Sequence, residues 1–136
     1  NIAAAEAAYR EARAVVSAGL HPSLGVHHRN RANDMCLVDD LMEPFRPLVD
    51  LHVARLVSAG ADSVTSETKR ALAAITIADM QTAKGVTPLG TCLDRLATSL
   101  GQSFEAGKAE LELPLAPLPL DLATKPNASV AADDPA

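Results

Sequence analysis

The chain has 136 residues, a formal net charge of -5 and 48% hydrophobic residues, with aromatics only 2% of the total. This length allows one domain with a modest core and a tail. The negative balance excludes a wholly basic nucleic-acid binder, so any such contact needs a local patch.

A core built mainly from Ala and Leu favours helices over a sheet. Residues 2–18 read as the first helix, with Asn1 as its cap and Gly19 as its stop. Its expected inner face carries Ala5, Ala8, Ala12, Val15 and Val16, with Glu6, Arg10 and Arg13 opposite. His21, Pro22 and Gly25 punctuate an irregular stretch over 19–36. Asp39 then reads as an N-cap, which places Asp40 and Glu43 in a first turn. Pro44 and Pro47 leave two options: a helix that starts at Asp39 and bends, or one that starts near Pro44. Leu48, Leu51, Val53, Leu56 and Val57 continue a helical pattern to Gly60. A third helix is expected over roughly 66–83, capped by Thr65 or Ser66 and closed by Gly85. Thr87 and Pro88 open a fourth, whose core stripe runs Leu89, Cys92, Leu93, Leu96, Leu100 and Phe104.

From Leu113 onward Pro114, Pro117, Pro119, Pro126 and Pro135 exclude helix and central strand. The expected architecture is all-α: a single small bundle of four to five helices over 1–112, with an extended proline-rich C-terminal tail over 113–136. Cys36 and Cys92 have no partner at motif spacing, which points to a reducing, cytoplasmic setting. No run approaches the eighteen or so apolar residues of a membrane span. The first residue is Asn1 and no secretory leader pattern follows it, so a fragment or processed chain is expected.

The chemistry concentrates in two neighbouring stretches. His27 and His28 sit on a turn, and Asp40 and Glu43 follow at a spacing that shares one helix face. Two close carboxylates repel unless a cation or proton lies between them. An imidazole reaching the same point makes a mixed N/O site suited to Mg²⁺ or Mn²⁺, with the imidazole favouring Mn²⁺. Such a site can activate a water or hydroxyl and stabilise charge on a phosphoryl group. Arg29, Arg31 and Arg46 form the one concentrated basic cluster and would suit phosphate. The plainer alternatives stay open: first-turn acids are favoured by the helix dipole alone, and Arg29 and Arg31 could pair with Asp34 or Asp39. Asn30 and Asn33 read as turn formers.

Two runs carry a resemblance. Gly-Leu-His-Pro-Ser-Leu-Gly-Val-His-His-Arg-Asn-Arg (19–31) and Asp-Asp-Leu-Met-Glu-Pro-Phe-Arg-Pro-Leu-Val-Asp (39–50) resemble the adaptation integrase of CRISPR systems, the first CRISPR-associated (Cas) protein, in its type II form. Val-Thr-Pro-Leu (86–89), Ser-Phe-Glu-Ala-Gly-Lys (103–108) and Leu-Pro-Leu-Asp-Leu (118–122) are similar to that family's tail. The resemblance implies a metal-dependent DNA endonuclease and integrase that inserts new spacers into the CRISPR array. It also implies an N-terminal β-rich domain and a C-terminal helical domain, of which this chain matches only the helical one.

By the same resemblance His28 and Glu43 are the catalytic metal ligands, Asp40 is a ligand or near-ligand, and the cation is Mg²⁺ or Mn²⁺. The implied partners of the intact protein are DNA (protospacer and CRISPR repeat), the small second Cas protein of the adaptation complex, and a second copy in a homodimer. A further family glutamate lies well upstream of the histidine, and neither Glu6 nor Glu11 occupies that position. The chain by itself is therefore expected to be weakly active or inactive. The competing expectation is a non-catalytic helical module that binds a protein partner. It predicts no metal-linked stabilisation and a tolerant Glu43.

Overall fold

The computed structural model of the chain describes residues 2–113. Helix α1 spans Ile2–Ser17, α2 Cys36–Met42, α3 Arg46–Ser58, α4 Ser66–Ala73 and α5 Leu89–Ala106. Short 3-10 turns at Glu43–Phe45 and Ala74–Ile77 join α2 to α3 and extend α4. Strands β1, Asp79–Thr82, and β2, Gly85–Pro88, form an antiparallel hairpin before α5. The described residues are thus mostly helical, as expected, but not all-α. The tail expected beyond Leu113 and the cap expected from Asn1 lie outside them.

Helix α1 packs against α5 and α2 at the centre of the fold. Its buried residues are Ala3, Ala7, Glu11, Ala14 and Val15. The expected inner face was therefore rotated: Val16 is 62% exposed, and a carboxylate lies inside. An alanine-rich helix is apolar on nearly every side, so spacing discriminates poorly among its faces. The neighbours decide, and Leu93, Leu96, Ala97 and Leu100 of α5 supply the facing apolar surface in the same core. Phe104, expected to continue that stripe, is exposed because α5 has run past the core by its last turn.

Helix α2 begins one turn earlier than Asp39, behind the N-cap residue Met35. Asp39 is already helical, its N–H donating to the Met35 carbonyl. Pro44 lacks the N–H that would continue the helix, and the chain tightens into the 3-10 turn there. It restarts as α3 with a proline in its first turn. Both options for this region held in part: a helix bends at Pro44, and a new one starts just after it. Phe45 and Leu48, each at most 1% exposed, seal the corner into the core. On α3, His52 is buried and bonded at 2.7 Å through Nε2 to the Ala71 carbonyl, which ties α3 to α4.

The third expected helix is the clearest correction. Helix α4 stops at Ala73, and Ile75, Thr76 and Ile77 fall in the 3-10 turn. Branched side chains lose rotamer freedom in a helix and crowd its preceding turn. The chain then alternates: Met80 and Thr87, paired across the hairpin, both face the core, while Asp79 and Val86 face out. The turn needs Gly85 at a positive φ of 99°. Thr87 consequently does not cap α5. Pro88 takes the N-cap position, and the Leu89 N–H donates to the Ala78 carbonyl.

Thr65 does cap α4 as expected, its hydroxyl accepting from the Thr68 N–H at 3.1 Å. Thr65→Ala should cost about 1 kcal/mol in urea denaturation, because one of the four orphan N–H groups loses its partner. Among the described residues no helix is long and apolar enough to cross a membrane.

Candidate metal centre

The loop between α1 and α2 is organised by its own short side chains. The Asn30 Oδ1 accepts from the Ala32 N–H at 3.0 Å, and the Asn33 Oδ1 from the Met35 N–H at 2.9 Å. Both asparagines are therefore turn formers. The Leu37 N–H donates to the Pro22 carbonyl at 2.7 Å, closing the loop onto the start of α2.

Asp40 holds the histidine pair. Its Oδ2 accepts from the His27 N–H at 2.8 Å, and its Oδ1 from the His28 N–H at 3.1 Å. Oδ1 also lies 2.5 Å from Nδ1 of His28. Only 8% of the Asp40 side chain is exposed. Burial alone would push its pKa up, but the backbone amides of His27, His28 and Val26 and the His28 ring hold it below the usual carboxylate range. The His28 side chain is 43% exposed, and its ring meets that of His27 edge-on at 5.4 Å.

Gly25 makes this approach possible. A Cβ there would lie 2.2 Å from the His28 carbonyl oxygen and 3.0 Å from Oδ2 of Asp40. This glycine read in the sequence as loop punctuation, and it serves instead as the space in which the histidine loop closes over a carboxylate. Nothing local in the sequence distinguishes the two uses.

Glu43 belongs to a second group. It sits in the 3-10 turn at the end of α2, and Arg46 donates to it from Nε at 2.7 Å. The Arg46 Nη2 also approaches Asp39 at 3.9 Å, and Asp39 accepts from the Asn33 amide at 2.8 Å. Among the described residues Arg29 and Arg31 are exposed and meet no carboxylate, so their alternative pairing with Asp34 or Asp39 does not form. The structure thus brings His27, His28 and Asp40 together, and separately Asp39, Glu43 and Arg46. Among the described residues no three His, Cys, Asp or Glu side chains gather in a way that could hold a metal ion.

The donor chemistry nonetheless suits a divalent cation. His28 keeps one ring nitrogen without a hydrogen-bond partner among the described residues, and Glu43 is a half-exposed carboxylate one turn past Asp40. An imidazole nitrogen and a carboxylate are donor types that a divalent cation takes, but the described residues place these two in separate groups and assemble no metal site.

The comparisons converge on one family. The profile of the family described as CRISPR associated protein Cas1 matches residues 8–82, more than half of the chain. The chain belongs to the Cas1 family. The matched span holds the histidine loop, α2, the Pro44 corner and all of α3 and α4. The segments at 86–89, 103–108 and 118–122, expected from their resemblance to belong to the family's tail, lie outside that match. The CRISPR-associated endonuclease Cas1 of Neisseria meningitidis serogroup C (strain 8013) is 45% identical over 49 residues, which is 36% of this chain and 16% of that protein. The CRISPR-associated endonuclease Cas1 1 of Saccharolobus solfataricus (strain ATCC 35092 / DSM 1617 / JCM 11322 / P2) is 47% identical over 53 residues, 38% of this chain and 15% of that protein. The chain therefore matches about one sixth of the length of each of these Cas1 relatives.

Proposed function

We propose that this chain is a piece of a CRISPR adaptation endonuclease and integrase and supplies part of its metal centre. His28 and Glu43 hold Mg²⁺ or Mn²⁺ together with donors from outside this chain, among them the glutamate that the family resemblance implies. Asp40 belongs to the same site. The cation supplies charge stabilisation on a phosphodiester and a more acidic bound water or hydroxyl. Arg29, Arg31 and Arg46 approach the DNA phosphates, the first two from an exposed loop. DNA of protospacer and repeat, the small second Cas protein and a second copy of the intact protein are its proposed partners, and the cytoplasm its proposed location.

The observation that carries this reading is the loop itself. A partly exposed imidazole is held by a buried carboxylate, within the span that matches the family. With donors missing, the isolated chain binds the ion weakly and has little or no activity. Mn²⁺ at millimolar concentration should raise the melting temperature by a few degrees through binding to the native state. Glu43→Ala should abolish that rise without lowering the metal-free stability by more than about 1 kcal/mol, because its partner Arg46 is exposed. An Mn²⁺-independent melting temperature would exclude a metal role for the chain by itself.

One observation favours the second reading, a non-catalytic module that docks a protein. Val26, Leu100, Phe104 and Leu111 line an apolar groove of about 380 Å³ at the C-terminal end of α5. Val26 and Phe104 are more than half exposed there. On this reading Glu43→Ala is neutral, and polar substitutions at Phe104 weaken partner binding.

A further inference from the structure

Resting on the metal-centre reading, we infer that Asp40 is a positioning residue rather than a ligand: it fixes His28 as the Nδ1–H tautomer and leaves Nε2 as the donor nitrogen. The hydrogen-bond inventory of the carboxylate supports this. An ionised carboxylate has about four acceptor sites. Oδ1 takes the His28 N–H and the His28 ring, and Oδ2 takes the His27 N–H. The Gly25 backbone covers Oδ2 so closely that even a methyl group there would stand 3.0 Å away. A cation reaching either oxygen would have to displace backbone donors from a side chain that is only 8% exposed.

The imidazole faces the opposite situation. Its Nδ1 meets an acceptor-only group, so Nδ1 carries the hydrogen of the neutral ring. Nε2, on the far edge, then holds a lone pair and has no partner among the described residues. A carboxylate in this position fixes both the tautomer and the orientation of a ligating histidine. Gly25 is part of the same device, because it lets the chain fold tightly enough for one carboxylate to hold two consecutive amides and the ring.

Long-range ¹H–¹⁵N NMR of the metal-free chain at about pH 8 tests this directly. His28 should show a protonated Nδ1 and an unprotonated Nε2; an Nε2–H tautomer would overturn the inference. Asp40→Asn adds a second arm. Its amide can donate to Nδ1, which should switch the ring to the Nε2–H tautomer and weaken Mn²⁺ binding about 10- to 100-fold. Unchanged Mn²⁺ affinity in that variant, with the fold intact by amide chemical shifts, would also overturn it. If the variant does not fold, the tautomer of the unaltered chain decides. Failure of the unaltered chain to bind Mn²⁺ at all would count against the metal-centre reading, whereas the tautomer is measured without metal.

Discussion

Glu11→Met should stabilise the chain by about 3 kcal/mol at pH 7, equivalent to a rise in melting temperature of roughly 10–20 °C. Glu11 is fully buried on α1, and neither carboxylate oxygen has a hydrogen-bond partner among the described residues. Burial, with a smaller contribution from the charge on Asp94, pushes its pKa from 4.5 up to about 8. Asp94 is itself paired with Arg10, so that arginine is not free to answer Glu11. The folded chain therefore binds the Glu11 proton more tightly than the unfolded chain does. The contribution of Glu11 to stability is most favourable below about pH 4.5, falls as pH rises, and levels off above about pH 8. The shift converts to about 5 kcal/mol over the full window, an upper figure for this one group. A methionine fills similar volume, has no charge to neutralise and leaves no unpaired oxygen. Urea denaturation of both chains between pH 5 and pH 9 checks this. The gap between them should widen by about 1.4 kcal/mol per pH unit and then flatten. A constant gap, or a destabilised variant, would mean that Glu11 is satisfied in solution.

Gly25→Ala should cost about 3 kcal/mol and release the histidine loop. The added Cβ meets a backbone oxygen at 2.2 Å, which no side-chain rotation can relieve. The loop must move, and the amides of His27 and His28 then leave the Asp40 carboxylate. Charge-assisted bonds of this kind contribute about 1.5–3 kcal/mol each, and the loosened loop recovers part of that from water. The amide chemical shifts of His27 and His28 should collapse toward random-coil values while those of α5 stay in place. Mn²⁺ stabilisation should disappear with them. A Gly25→Ala chain with the native loop shifts and full stability would show that the approach over Asp40 is looser than the structure has it.

Several elements were legible because local chemistry alone dictates them. Thr65 before Ser-Glu-Thr-Lys is a cap in any context, and the Asn30 and Asn33 turns need only their own backbone. The leucine stripe from Leu89 to Leu100 repeats so regularly that one face must be buried. The hairpin was missed although its signals were present. Gly85, flanked by Thr82 and by Val86-Thr87, marks a turn between branched residues, but Met80 also continues the helical spacing of Leu72 and Ile75. Strand pairing settled that ambiguity, since only the hairpin puts Met80 and Thr87 on the core face together.

By itself the sequence determined the helical character, the position of the bend at Pro44 and the family, because these follow from residue type and short-range order. The tertiary structure alone decided which face of an alanine-rich α1 turns inward, and so buried Glu11. It also decided how the site residues group. Asp40 and Glu43 are three residues apart, yet one closes onto the histidine loop and the other onto Arg46. The reason is physical. Spacing places side chains on a helix, but their partners come from a loop whose path depends on a glycine close to the carboxylate and on a proline that ends the helix between one group and the next.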